Sequence, residues 1–298
     1  MIGIRSVSRY PGLALNARTL FLAGPRASLV RGYATESETA AKKKKKKSKN
    51  TADISQVPVK NIGVMADFYI PPRILNCPVT SWHKLLFRRL GMFVVNTYNV
   101  VKYKRETGLK LQFNDWKDHA IEQYVKTNKV FAAACNKRKA ERAKYIESQL
   151  NDVAGVEVIR NLAERSDTFP TDSKLNWELV SIENNPKVVS FNVIPDSNNV
   201  TVYVQLIIKL ITKQKVTVNV QGKENVTERA VSDYLVYSMD PITKEIYLVG
   251  KLFESDHIRK VAPDDKFTNP KYMIAFTKTS GDIYRANPKA QAVEAKNN

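Results

Sequence analysis

The sequence predicts an α+β domain in which helices come first and an antiparallel meander of strands follows. Three observations carry that prediction. Between residues 80 and 166 apolar side chains recur at helical spacing. From Leu175 onward the period changes to two, in short runs separated by turn residues. Helices grouped ahead of strands, rather than alternating with them, indicate segregated layers.

Structure is expected to begin near "IGVMADFYIPPRILNCP", an extended apolar stretch in which Pro71, Pro72 and Pro78 forbid a helix. The next segment, "TSWHKLLFRRLGMFVVNTYNVVKYKR", reads as a helix with Ser81 as its cap. Leu86, Leu90, Phe93, Val94, Thr97, Tyr98 and Val101 fall on one side of the helical wheel. Met92, Val95 and Val100 widen that arc, and Asn96 and Asn99 leave only a narrow polar strip. Cations stand at both ends: Lys84, Arg88 and Arg89, then Lys102, Lys104 and Arg105. The interrupted apolar run over residues 90–101 is too short for a bilayer span, which takes about 20 residues, and no other segment qualifies. Two readings fit the arc. One is a core helix, and the other is a helix on a membrane surface with its cationic ends among the headgroups.

An amphipathic helix follows in "FNDWKDHAIEQYVKTNKVF", with Trp116, Ala120, Ile121, Tyr124 and Val125 as its stripe and Asn114 as its cap. The overlapping segment "KVFAAACNKRKAERAKYIESQL" is rich in strong helix formers. It sets Lys137, Arg138, Lys139, Arg142 and Lys144 against Glu141 alone, which suits either a phosphate-binding surface or a solvated face. "DVAGVEVIRNLAERS" supplies one more short helix.

Six strands are expected: "LNWELVSI", "KVVSFNVIP", "NVTVYVQLIIKLI", "QKVTVNV", "AVSDYLVYSM" and "KEIYLVGKLF". "ENNPK", "PDSNN", "ITKQK", "QGKEN" and "DPITK" read as the turns between them. In the third strand Val200, Val202, Val204, Leu206, Ile208 and Leu210 share a face, while Thr201, Tyr203, Gln205 and Lys209 make the other face mixed. Such a strand belongs to an antiparallel sheet with helices on one side.

Charge bounds the partners. The 298 residues carry 48 Lys+Arg against 29 Asp+Glu, a net +19. An excess of that size points to an acidic partner, RNA or anionic lipid. Residues 1–35 hold Arg5, Arg9, Arg18, Arg26 and Arg31, with no lysine and no acid, which is the composition of a mitochondrial transit peptide. "RGYAT" fits matrix-protease cleavage between Tyr33 and Ala34. Removing five arginines from +19 leaves +14, so the excess belongs to the mature chain. A disordered arm is expected over residues 34–60, with Lys42, Lys43, Lys44, Lys45, Lys46, Lys47 and Lys49 in "AAKKKKKKSKN". A single folded domain is expected over 61–285, then a loose tail over 286–298.

Signals for chemistry are missing. No glycines are grouped into a phosphate-binding loop, and His83, His119 and His257 are scattered. Cys77 and Cys135 lie far apart without a CxxC, as free thiols of a reducing compartment do. Glu178, Asp233, Glu245 and Glu254 sit on strands with nothing to mark a pair, so neither an enzyme nor a cofactor is expected. The aromatic consensus of a base-stacking RNA module is also absent, which leaves phosphate contacts as the mode of any RNA binding.

The strings "VMADFYIPP", "RRLGMFVVNTYNV", "LNWELVSIENNPKVVS", "GKLFES" and "GDIYR" resemble the multicopy-bypass (MBA) family, fungal mitochondrial inner-membrane ribosome receptors. The resemblance covers residues 64–285. That family is similar to a large-subunit mitoribosomal protein of animals and to the C-terminal domain of the import-motor anchor subunit. The resemblance implies a cystatin-like fold, with a curved sheet packed on helices. It also implies a peripheral protein on the matrix face of the inner membrane. Its implied partners are the mitoribosomal large subunit near the tunnel exit (rRNA and exit proteins), the membrane-protein insertase and anionic lipid, with no small-molecule substrate. An integral large-subunit protein and an import-motor factor stay open as alternatives. No contact motif transfers residue by residue. The ribosome contacts nominated from charge are therefore the lysine arm and the Lys137–Lys144 cations, and the membrane contacts are the six cations flanking residues 90–101.

Overall fold

The computed structural model describes residues 54–288. Four helices come first: α1 (Trp82–Thr107), α2 (Phe113–Cys135), α3 (Lys139–Leu150) and α4 (Val156–Thr168). Strands β1 (Ser173–Pro195), β2 (Thr201–Val220), β3 (Lys223–Met239) and β4 (Ile246–Leu252) follow, and α5 (Pro270–Ser280) closes the described chain. The strands form one antiparallel meander in the order β1-β2-β3-β4. The α+β class is the one the sequence predicts.

Four long strands stand where six short ones were expected. "ENNPK" is a set of register shifts inside β1, between Ile182/Asn184 and Asn184/Lys187. β1 is an edge strand, where a bulge and Pro186 are tolerated. "ITKQK" does not turn either, since residues 211–215 pair without interruption to Ser232 through Glu228. The three remaining turns hold. Gln221 (φ 50°) and Gly222 (φ 83°) make the tight left-handed link between β2 and β3 that a two-residue hairpin requires. Asp196 and Asp240 close the other two with side-chain bonds to Val200 N–H and Ile242 N–H, each at 2.8 Å.

The main core lies between the helices and one sheet face. Leu206, Ile208, Leu210, Leu235 and Tyr237 meet Trp116, Ala120, Tyr124, Ile146 and Leu162 there. Val200, placed on this face by the alternation, is exposed in the β1–β2 turn instead. The second face is mixed in composition, and its part around Thr201, Tyr203, Gln205 and Ile207 is buried as well. Residues 57–70 run across it as a strap, and α5 adds Phe276. Gln205 holds the strap by donating to Gly63 C=O at 2.7 Å and accepting from Met65 N–H at 3.2 Å. Gly250 lets α5 come close, because a Cβ there would stand 2.4 Å from Ser280 O. Order begins earlier than composition suggests. Val57 C=O accepts the Tyr203 hydroxyl at 2.6 Å, and Val59 is buried.

Candidate docking surfaces

Helix α1 is turned inside out. Its polar strip faces the protein. Asn96 donates to Val189 C=O and accepts from Phe191 N–H, both at 3.1 Å, and Asn99 donates to Phe191 C=O at 2.8 Å. These amides take the place of a neighbouring strand on the free edge of β1, which would otherwise expose an unpaired ladder. Leu85, Met92 and Tyr103 are buried on the same side. The predicted apolar arc consequently points to solvent. Leu86, Phe87, Leu90, Phe93, Val94, Tyr98 and Val101 are all more than half exposed, Phe87 reaching 71%. The core-helix reading of this arc is overturned.

The six cations of α1 divide. Arg88 donates to His257 C=O and to Ile258 C=O, and Arg89 donates to Pro72 C=O at 2.8 Å. Lys102 donates to Asn199 Oδ1 at 3.0 Å and lies 3.8 Å from Glu106. These three fasten the helix to the loops beside it, and Arg89 remains exposed while doing so. Lys84, Lys104 and Arg105 stay exposed at the two ends. Glu106, the only acid of α1, accepts from the Thr201 N–H (2.9 Å) and hydroxyl (2.5 Å). Partial burial works against its charge, but the Thr201 bonds outweigh this and hold the pKa below the ordinary 4.5.

The second surface is the corner between α2 and α3. The sequence reads through it as one helical segment, but the chain breaks at Asn136. That side chain donates to Leu175 C=O at 2.8 Å and accepts from Leu175 N–H at 2.7 Å, capping the β1 edge again further along. Lys137, Arg138, Lys139 and Lys144 project from the corner and the first turns of α3. All four are exposed, and none has an ion pair among the described residues.

Arg142 does not belong with them. It is fully buried, and its guanidinium donates to four backbone carbonyls: Lys137 (3.1 Å), Ser166 (2.6 Å), Phe169 (2.8 Å) and Cys135 (3.0 Å). These carbonyls lie at the C-terminal ends of α2 and α4, where unpaired acceptors and the helix dipoles favour a cation. Burial pushes the neighbouring Cys135 thiol up to about 11, with Arg142 only partly opposing, so this cysteine is inert.

Of the carboxylates Glu178, Asp233, Glu245 and Glu254 only Asp233 is buried, and it is paired. Lys251 Nζ lies 2.7 Å from it, and the Tyr124 hydroxyl donates to it at 2.7 Å. Desolvation and the Asp233 charge push the Tyr124 pKa well up. Gln214 joins Tyr124 to Trp177 and Thr212 in the same network. It ties α2 to the sheet. The cleavage site at Tyr33 and Ala34 and the lysine run Lys42–Lys47 with Lys49 lie outside the described residues. No helix among the described residues is long and apolar enough to cross a membrane.

The two features that stand out are surfaces: an exposed apolar helix face and an exposed cationic corner. The profile of the MBA1-like protein family matches residues 48–289, and the chain belongs to that family. One relative is the inner membrane mitoribosome receptor MBA1, mitochondrial, of Saccharomyces cerevisiae. It is 33% identical over 266 residues, which cover 85% of this chain and 87% of that protein.

Proposed function

We propose that this protein is a peripheral receptor of the mitochondrial inner membrane. It binds the mitochondrial ribosome from the matrix side, near the tunnel exit of the large subunit, and aligns it with the insertase for membrane proteins. The likeness to the yeast receptor over most of both chains supports the ribosome as partner. The geometric observation that carries the reading is the α2–α3 corner. Lys137, Arg138, Lys139 and Lys144 form an exposed cationic group without ion-pair partners among the described residues, on a rigid element fixed by the buried Arg142. Such a group neutralises phosphates without reading bases, as a receptor for a large RNA surface needs. The lysine run Lys42–Lys47 with Lys49 adds further phosphate-binding charge to the chain.

Co-sedimentation of the mature protein with purified mitoribosomal large subunits tests this. Changing Lys137, Arg138, Lys139 and Lys144 to Glu is expected to weaken binding at least tenfold at low salt and to flatten its salt dependence. Unaltered binding and slope would move the contact elsewhere.

A further inference from the structure

We infer that the outward face of α1 is the membrane dock, and that it holds an anionic bilayer by inserting apolar side chains rather than by charge alone. The inference rests on the reading of the protein as a peripheral inner-membrane receptor and names the surface and the lipid chemistry that reading leaves open.

Over about 22 Å of helix, from Leu86 to Val101, the outer arc carries Leu, Phe, Val and Tyr side chains that no described residue covers. A contiguous exposed apolar stripe with charged residues at its ends is the kind of surface that marks an interaction site on a monomer. Apolar surface continues past the N-terminal end of the helix. The Trp82 indole donates to Cys77 C=O at 3.0 Å and draws in the turns that expose Leu75 and Val79, at 86% and 72%. Arg88 holds the loop that exposes Ile258 at 72%.

Charge selects a bilayer over a protein groove or a second copy of this chain. Lys84 stands exposed at one end of the face and Lys104 and Arg105 at the other, and the only acid of the helix has its carboxylate engaged by Thr201 and lies 3.8 Å from Lys102. A convex ridge with cationic ends, and with Trp82 and Tyr98 at intermediate depth, is the pattern of a helix lying in the plane of an anionic interface. Its orientation is fixed before it meets lipid, because Asn96 and Asn99 lock the opposite side to β1. The ordering cost of folding a free amphipathic peptide on the membrane is thus already met in the folded domain.

The test is flotation of the mature protein with phosphatidylcholine vesicles, with and without cardiolipin, beside ribosome co-sedimentation of the same samples. Wild type is expected to float with cardiolipin vesicles and to stay bound when salt is raised. The double variant Leu90→Glu, Phe93→Glu, both sites being exposed, is expected to lose roughly a hundredfold in partition coefficient while its thermal unfolding and ribosome co-sedimentation stay as in wild type. The milder pair Leu90→Ser, Phe93→Ser should fall between. Flotation of the Glu variant equal to wild type would overturn the inference. So would loss of ribosome binding with flotation intact, or wild-type flotation abolished by salt. A dimer present in wild type and absent in the variant would overturn it in favour of a second copy. Failure of wild type to bind ribosomes would instead count against the receptor reading and leave the flotation result standing on its own.

Discussion

The side-chain carbonyl of Asn96 accepts the backbone N–H of Phe191 at 3.1 Å, and this bond sets the direction in which α1 faces. An amide on a helix acts as the next strand of a sheet. With Asn99 it satisfies the β1 edge and commits the apolar arc to the outside. Replacing both asparagines by Ala is expected to cost about 2 kcal/mol of unfolding free energy. Amide exchange at Phe191 should quicken more than exchange in β3. Exchange at Phe191 that stays as slow as in wild type would show that these bonds do not hold the helix.

Arg142 and its neighbours on α3 should separate stability from binding. Arg142→Ala strands four buried or half-buried carbonyls and is expected to cost roughly 3 kcal/mol or more in urea unfolding. Lys cannot span those acceptors with its single ammonium and should recover little. Lys139→Glu and Lys144→Glu, on exposed sites, should lie within about 0.5 kcal/mol of wild type. Equal losses at Arg142 and Lys144 would contradict the division.

Glu106 predicts an acid weakness at the C-terminal end of α1. Its folded pKa is depressed, so its contribution is complete above the ordinary 4.5 and is lost as pH falls through the lower folded value. The stability gap between wild type and Glu106→Gln should be constant from neutral pH down to about 4.5 and close below it. A gap unchanged by acid would exclude the Thr201 bonds as its source.

Gly250 should reject a methyl group. Its Cβ would meet Ser280 O at 2.4 Å and Val64 Cγ2 at 2.8 Å, one on α5 and one on the strap. Gly250→Ala is expected to cost about 1–3 kcal/mol and to expose the strap to limited proteolysis between residues 57 and 70. Unaltered proteolysis and stability would mean that α5 moves away freely.

Much of the architecture was readable in the sequence, because period and order carry it. The helical wheel grouped Leu86, Leu90, Phe93, Val94, Tyr98 and Val101 correctly, although it added Met92 and Val100, which face the core, and omitted Phe87; periodicity does not say which way an amphipathic face points. The deciding signal was the pair Asn96 and Asn99, three residues apart on the narrow strip and matched to a strand edge distant in sequence. The strand count failed for a related reason. "ENNPK" and "ITKQK" carry turn chemistry, but an edge strand absorbs Pro186 in a bulge, and in "ITKQK" the buried residues Thr212 and Gln214 are polar ones satisfied by hydrogen bonds, so no apolar alternation shows. Arg142 looked like its basic neighbours because only its partners, the carbonyls of two helix ends, reveal its burial. α5 was overlooked although "NPKYM" holds a start signal: Asn269 accepts from Lys271 N–H at 3.0 Å, and Pro270 opens the helix.

The most direct measurement places a polarity-sensitive fluorophore along α1. Single cysteines at Phe87, Leu90, Tyr98 and Val101 would be labelled in a Cys77→Ser background, Cys135 being buried, with Ser148 on α3 as the exposed reference. With cardiolipin vesicles the four α1 labels should shift to the blue and become accessible to a lipid-borne quencher, while the Ser148 label does neither. Equal responses at all five positions, or no response until ribosomes are added, would contradict the claim that the outward face of α1 rests on the membrane.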